Sequence, residues 1–381
     1  MRTPRLLRPM FLVAPVLFAA PAHAMLLTSS GAGSFSDSRV FTDGEGGGAT
    51  TANTVLGSVS LSAFDPALGV LHDARFRLTS NRTQTLGVSA TAGASAGNGL
   101  VTSQANGLNT PSLHLPTGTT TTLSSLSTSA SCTEHARSAC TGANATTSTS
   151  TQATIAVSPA ALDGLVATSP GATLSVGRSV STSVNQASNV FGGTETASMR
   201  LDWQGSMAFE YDYRLHAAPS FAGSDLVTDW VLDFGTLLRG DSGLLAFAIF
   251  NLIGDRVGLD LDAILGTGDT ASFQLTLGAF SGQLAGDGSD WLALFDANTV
   301  GRFDATYRLD FSDADVGAAS SRTGSSLTLR LLGEVIEAPQ VSASTVPEPS
   351  VAWLLGAALG ALAMARSTRR TPSPAVGPDR R

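Results

Sequence analysis

The fold is decided by residues 199–215, which read MRLDWQGSMAFEYDYRL. Apolar or aromatic side chains occupy nearly every odd position, and polar or charged side chains occupy most even positions. Successive side chains of a β-strand point to opposite faces, so this period of two predicts a strand with one buried and one wet face. The aromatic stripe is therefore assigned to the core, and Gly205 within it indicates a bulge or a hairpin turn.

Shorter stretches on both sides of this segment show the same alternation. The pairs in phase are Phe76 and Leu78, Phe273 and Leu275, Tyr307 and Leu309, and Leu327 and Leu329. Convincing helical periodicity is absent outside the two ends of the chain. The sequence therefore predicts an all-β protein with two β-sandwich or jelly-roll-like domains.

The two domains are separated where the composition changes, around Pro219. We place the first at residues 25–219 and the second at residues 220–338. Seven short apolar segments with Gly/Asp turns between them fit the second domain as a sandwich. They are residues 231–234, 244–250, 257–261, 272–277, 291–295, 303–311 and 327–335.

Residues 117–154, within the first domain, are dominated by Ser, Thr and Ala. Such a tract buries little apolar area for each residue that it orders, so we expect a flexible insertion or a weak edge ribbon. Cys132 and Cys140 lie here, and in an exported protein a short disulfide loop is the favoured interpretation. A metal site of Cys132, His135 and Cys140 is less favoured, because no fourth ligand is evident.

The composition excludes several classes of function. The net charge is -8, which opposes nucleic-acid binding, and all 22 basic residues are arginine. Without lysine, a Schiff base or a phosphate-loop lysine is impossible. The sequence indicates no cofactor.

The N-terminus has the pattern of a secretory signal peptide. Arginines precede a short apolar run that closes at Ala22-His23-Ala24, and the run is about half of the roughly 20 residues that a spanning helix needs. We predict cleavage after Ala24, where Ala22 and Ala24 fit a signal peptidase, and we exclude residues 1–24 from the fold.

The C-terminus combines three features in a fixed order. A short linker, residues 339–345, leads to Val346-Pro347-Glu348-Pro349, and an apolar run over residues 351–365 follows. The basic residues after the run are Arg366, Arg369 and Arg370, and residues 371–381 form a short tail. An apolar helix retained by cytoplasmic arginines is the physical basis of a stop-transfer signal, so we predict one short transmembrane helix.

This order in residues 346–370 closely resembles the PEP-CTERM sorting signal. The resemblance implies that Val346, Pro347, Glu348 and Pro349 are recognised by an exosortase and that Arg366, Arg369 and Arg370 hold the helix in the inner membrane. Two differences from the family are the interruption of the arginines by Ser367-Thr368 and the continuation of the tail to Arg381.

Two further resemblances concern the β domains. Asp233-Phe234-Gly235-Thr236 and residues 301–307, GRFDATY, look like immunoglobulin-like choice-of-anchor domains over about residues 229–338. Residues 64–69, FDPALG, resemble the opening of another choice-of-anchor domain. Neither family supplies catalytic residues, and both imply a surface context.

Two kinds of motif that could indicate catalysis or metal binding have simpler interpretations. Gly240-Asp241-Ser242-Gly243 spells the tetrapeptide around a trypsin-like nucleophile, but a tight turn between strands fits its surroundings better. Glycine-rich turns explain the acidic clusters as well as calcium binding does. Those clusters are Asp260, Asp262 and Asp269, and Asp287 and Asp290.

The sequence therefore predicts a non-catalytic protein with no metal site. It is expected to be exported by the secretion machinery, anchored transiently in the inner membrane, and then released to the cell surface or the extracellular matrix. The resemblance implies exopolysaccharide or biofilm association. A carbohydrate- or calcium-binding adhesin is the alternative.

Overall fold

The computed structural model describes residues 27–43, 48–93, 100–135, 138–188 and 193–339, together with Gly356. These residues form an all-β structure of four sheets that pack in two pairs. Four short 3-10 helices connect strands: Pro66–Leu68, Pro159–Leu165, Thr270–Ser272 and Ala319–Ser321.

The first pair of sheets contains nine strands, several of them unusually long. The strands are β1 (Leu27–Asp43), β2 (Gly48–Ser62), β3 (Val70–Thr91), β4 (Leu100–His114), β5 (Thr120–Thr122), β6 (Leu126–His135), β7 (Ala139–Ala156), β8 (Thr173–Ser188) and β9 (Thr194–Arg214). One sheet has the order β1-β9-β3-β7. The other has the order β2-β8-β4-β5, with β6 also paired to β4.

The apolar face of β9, which the alternation in residues 199–215 creates, packs the two sheets together as the first sandwich. Trp203, Met207 and Phe209 of β9 are fully buried and pack against apolar residues of β2 and β8 in the opposite sheet. Each such side chain contributes roughly 1.5–3 kcal/mol when it leaves water. The polar residues between them face solvent, as the period of two requires.

The second sandwich has shorter strands and a core rich in phenylalanine and leucine. The strands are β10 (Pro219–Ser220), β11 (Asp229–Leu238), β12 (Ser242–Asn251), β13 (Leu259–Gly268), β14 (Phe273–Leu275), β15 (Phe280–Gln283), β16 (Gly288–Asp296), β17 (Gly301–Asp313) and β18 (Gly324–Ile336). The sheet β10-β12-β16-β14 packs on the sheet β11-β18-β17-β13-β15. Each of the seven expected segments overlaps a strand, and β10 and β15 are additional.

Two expectations from the sequence are corrected by the structure. Gly205 forms neither a bulge nor a turn, because β9 continues through it in register with both neighbours. A Cβ at Gly205 would lie 2.4 Å from the carbonyl oxygen of Thr79, so glycine is required where β3 approaches closely. Of the two forms expected for the Ser/Thr-rich tract, the flexible insertion is wrong and the edge ribbon agrees with the structure, because most of the tract forms β5, β6 and the edge strand β7.

Candidate functional site

The residues predicted to form the sorting and cleavage signals lie outside the described part of the chain. They are Ala22 and Ala24, Val346, Pro347, Glu348 and Pro349, and Arg366, Arg369 and Arg370. Within the described residues, no helix has the length and apolar character needed to cross a membrane.

Cys132 and Cys140 form a disulfide, with 5.9 Å between their Cα atoms. Cys132 belongs to β6 and Cys140 to β7, so the bond links the two sheets of the first sandwich along one edge. His135 lies nearby at the end of β6, with an exposed side chain. The two sulfurs are thus bonded to each other and are not available to a metal in this state.

The protease-like tetrapeptide forms the turn between β11 and β12, and Ser242 begins β12. Nucleophilic catalysis by serine requires a base within hydrogen-bond reach. The ring of His216 bonds Asp313 and the Pro66 carbonyl, and the ring of His114 bonds Thr120 and Ser179. In the described ranges no hydrogen bond joins Ser242 to a histidine.

Two of the acidic residues considered for calcium, Asp260 and Asp269, accept hydrogen bonds from backbone N–H groups. Asp260 Oδ1 accepts a hydrogen bond from Gly282 N at 2.6 Å, and Asp269 Oδ2 accepts one from Asp304 N at 2.9 Å. Among the residues that the structure describes, no three His, Cys, Asp or Glu side chains come together as a possible metal site. Asp260 and Asp269 therefore each bond a backbone N–H of a distant segment separately.

The most elaborate polar cluster lies where the two sandwiches meet, and we call it the junction. His216 lies in the short connection between β9 and β10, and its Nδ1 is 2.8 Å from Asp313 Oδ2 in β17. Its Nε2 is 2.7 Å from the carbonyl oxygen of Pro66 in the first sandwich. Arg256 Nη1 donates to the carbonyl oxygen of His216 at 2.9 Å.

The junction favours a charged histidine. The Asp313 carboxylate and the Pro66 carbonyl are both acceptors, so only the doubly protonated ring can donate to both. The hydrogen bond with Asp313 raises the pKa of His216, although burial opposes this, and the Pro66 carbonyl raises it further. Burial alone would raise the pKa of Asp313, but hydrogen bonds from His216, Thr323 N and Ala217 N outweigh it and lower the pKa.

A second set of contacts reinforces the junction. Leu71 N donates to the buried Ser321 Oγ at 3.0 Å, and Ala318 N donates to the Leu71 carbonyl at 2.8 Å. Gly317, immediately before Ala318, has a φ of 60°, and a Cβ there would lie 2.2 Å from the Leu71 oxygen. The backbones of the two sandwiches are therefore in direct contact.

Hydrogen bonds between Asp163 and Ser320 extend the junction. Asp163 of the first sandwich accepts from Ser320 N at 2.8 Å and from Ser320 Oγ at 2.9 Å. The Ser320 backbone N–H and then its hydroxyl hold the pKa of Asp163 below its usual range. The sequence analysis placed Pro66 in the segment of residues 64–69 but did not connect it with His216 or Asp313, and the position of His216 beside the domain boundary was the available signal.

A separate open groove lies on the second sandwich and has a volume of about 470 Å³. It is located at the irregularity in the parallel pairing of β11 with β18, between Asp233 and Thr236. Arg302 and Phe303 of β17 form its other side, beside Glu334. The groove combines one aromatic ring with acidic, basic and hydroxyl groups, a combination that can bind a polar ligand.

Comparisons with known proteins add little about function. No family model matches this chain, and no curated protein matches it. Among solved structures it is similar to the ASH / PapD-like domain of human CEP192, with 13% identity over 32% of this chain and 87% of that one, and a TM-score of 0.22. It is also similar to the Vibrio cholerae VesB protease, with 15% identity over 34% of this chain and a TM-score of 0.22. That match spans only 37% of the protease chain, and neither TM-score supports an argument about function.

Proposed function

We propose that this chain is a non-catalytic exported surface or extracellular-matrix protein that an exosortase recognises through its C-terminal signal. The observation that carries the proposal is the order of Val346-Pro347-Glu348-Pro349, the apolar run and the arginines. In this proposal the N-terminal signal brings the chain to the secretion machinery. The apolar run then holds it in the inner membrane until the exosortase acts.

The β architecture supports a structural role for the exported part. The two sandwiches are joined by hydrogen bonds that include backbone groups, and sandwiches are the architecture on which immunoglobulin-like surface proteins are built. A disulfide across one edge of the first sandwich suits an oxidising compartment. Association with exopolysaccharide in a biofilm is part of this proposal.

Replacement of Pro347-Glu348-Pro349 by three alanines tests the sorting role. We expect the variant to keep its complete tail and to remain in the membrane fraction, because the recognition motif is lost while the apolar run is intact. Mass spectrometry of the C-terminus, in both the medium and the envelope, measures this.

The matched control replaces Pro372-Ser373-Pro374 by three alanines, which removes two prolines from beyond the arginines. This control should be processed normally. If the first variant releases a mature protein of unchanged size and amount, the chain is not an exosortase substrate through this motif.

A carbohydrate-binding adhesin is the second candidate, and the groove beside Phe303 favours it. Aromatic rings and charged or amide groups together are what sugar binding uses, in apolar stacking and in hydrogen bonds. Arg302→Ala should weaken retention on a polysaccharide matrix at least tenfold, whereas Arg308→Ala, on the same strand but away from the groove, should not. Equal retention of both variants and the unmodified protein would remove this candidate.

A further inference from the structure

The interior of the first sandwich contains an arginine without a carboxylate partner. Arg82 lies on β3 with its side chain fully buried, directly opposite Trp203 of β9. A guanidinium remains protonated in proteins even where burial disfavours its charge, as it does here. The sheet interior therefore holds a full positive charge at this position.

The protein satisfies this guanidinium only in part. Nη2 of Arg82 faces Ser124 Oγ at 3.3 Å and Thr151 Oγ1 at 3.4 Å, both long for hydrogen bonds. Its Nε and Nη1 are buried and have no hydrogen-bond partner in the described part of the chain. Burying an uncompensated ion costs several kcal/mol even after relaxation, so a missing counter-charge is expected to be supplied.

A carboxylate on this face, Asp37, lies opposite Trp203 on β1, on the far side of β9 from Arg82, and it is already paired with another arginine. The other buried arginine in this region, Arg178, already pairs with Asp37 and lies 4.1 Å above the ring of Phe35. The buried acidic residues of this sandwich are Asp43, which is opposite Ala197 in the register of β1 with β9, and Glu195 of β9 itself. Since a strand rises by about 3.3 Å per residue, Ala197 and Glu195 are about 20 Å and 26 Å along β9 from Trp203, the residue opposite Arg82.

Two further buried donors without a partner in the described ranges lie next to Arg82, and one unpaired acceptor, Asn109 Oδ1, lies beyond Gln84. Ser80 Oγ, two residues before Arg82 on the same face of β3, is buried and unpaired in the described ranges. Nε1 of Trp203, the residue directly opposite Arg82, is also buried and unpaired in the described ranges. Two guanidinium nitrogens, an indole N–H and a hydroxyl are all able to donate to an anion.

We propose that this part of the interior is a binding site for a small monovalent anion, of which chloride is the physiological example. Nε and Nη1 of Arg82, Ser80 Oγ and Trp203 Nε1 have almost no solvent-accessible surface, so we expect the site to admit a compact ion and to exclude a larger anion such as gluconate. Bound there, the anion neutralises Arg82 and accepts hydrogen bonds from Ser80 and Trp203. It is thereby part of the folded first sandwich.

Thermal unfolding of the full chain in chloride and in gluconate, at equal ionic strength, tests the site. An ion that binds only the folded state raises its stability with the logarithm of concentration. At a hundredfold excess over the dissociation constant we expect the melting temperature to rise by about 5 °C or more.

Variants separate the site from general salt effects. Arg82→Met removes the charge and should abolish the chloride dependence, while Arg82→Lys keeps the charge and should retain it. Arg77→Met is the matched control, because it lies on the same strand, changes the net charge equally and is exposed. A chloride dependence that is absent from the unmodified protein, or equal in Arg82→Met and Arg77→Met, overturns the proposal.

Trp203 provides a second measurement that does not need Arg82→Met to fold. In a variant with Trp230, Trp291 and Trp353 replaced by phenylalanine, Trp203 is the one remaining tryptophan. Bromide bound beside its indole should quench the fluorescence with a saturable component, and chloride should compete for it. Quenching that rises linearly with bromide and ignores chloride means that the interior binds no anion.

Discussion

The first sandwich carries Ser80, Arg82 and Gln84 on the inner face of its longest strand, whereas the second sandwich lines its interior with phenylalanine and leucine. In the first, apolar residues on either side of this polar layer fall into separate clusters, with Leu78 in one and Leu86 in the other. In the second, the buried apolar residues form one continuous cluster.

The two interiors also differ in how their polar atoms are satisfied. Among the described residues, every buried side-chain nitrogen or oxygen without a partner belongs to the first sandwich, except Arg256 Nε. Buried Asn251 of the second sandwich has all its groups bonded, to Ala218 N, Val257 O and Gln283 O. The protein itself therefore satisfies the buried polar side chains of the second interior more fully than those of the first.

Asn251→Leu should produce the largest loss in the free energy of unfolding. The number of side-chain heavy atoms is conserved, but one backbone N–H and two carbonyls lose their partner. Since each unsatisfied buried group costs about 1–3 kcal/mol, we expect the free energy of unfolding to fall by at least about 3 kcal/mol. Denaturant unfolding measures it. A loss below about 1 kcal/mol would show that water reaches these groups and that the second interior resembles the first.

His216→Gln should have an intermediate effect that depends on pH. The pKa of His216 is raised in the folded state, so its contribution is complete below its unfolded pKa of about 6.5 and disappears as pH rises through the folded pKa. The pKa of Asp313 is lowered, so its contribution is complete above an unfolded value of about 3.9 and is lost as pH falls through the folded pKa. The junction should therefore be most stable between about pH 4 and pH 6.5.

Within that range we expect His216→Gln to lower the free energy of unfolding by about 1.5 kcal/mol, the value typical of a charged hydrogen bond. The difference should shrink at alkaline pH, because the unmodified ring is then neutral. His114→Gln, on the exposed surface of the first sandwich, is the control for the loss of a histidine outside the junction. A His216→Gln effect that is the same at pH 5.5 and pH 8.5 would mean that the histidine acts by packing alone.

Thr182→Val should give the smallest effect and the opposite sign. Thr182 lies on the buried face of β8, between Val180 and Val184. Its buried Oγ1 has no partner in the described ranges. Replacement of an unsatisfied hydroxyl by a methyl group of similar size removes a desolvation cost. We expect no loss, or a gain of up to about 1 kcal/mol, in denaturant unfolding. A loss of more than about 1 kcal/mol would indicate that Thr182 bonds an ordered water.

Much of the fold could be predicted from the sequence, and the reasons are local. The alternation in residues 199–215 identified a strand and its buried face, and Trp203, Met207 and Phe209 are indeed buried. The Ser/Thr-rich tract was harder, because its hydroxyls bury little apolar area and its strands depend on neighbours. In β7 those neighbours are residues of β3, to which it bonds along its length. The sorting signal stays a prediction, since its residues lie outside the described part.

The candidate sites were less predictable. The polar residues in phase with Phe76 and Leu78 were visible as an interruption at Ser80, Arg82 and Gln84, but the period alone does not say whether that face stays buried. The junction brings His216 to Pro66 and Asp313, which are 150 and 97 residues away in the chain. A local pattern in the sequence does not predict contacts between residues that are so far apart.

The sequence by itself determined that the chain is all-β, where many of its strands lie and which side chains they bury, because alternation and turn chemistry are properties of neighbouring residues. Only the tertiary structure decided that β11 runs parallel to β18, that the Ser/Thr-rich tract is ordered and that Arg82 is enclosed without a carboxylate. Those outcomes depend on which distant strands pair and on what each sheet faces. They arise from contacts between residues far apart in the chain.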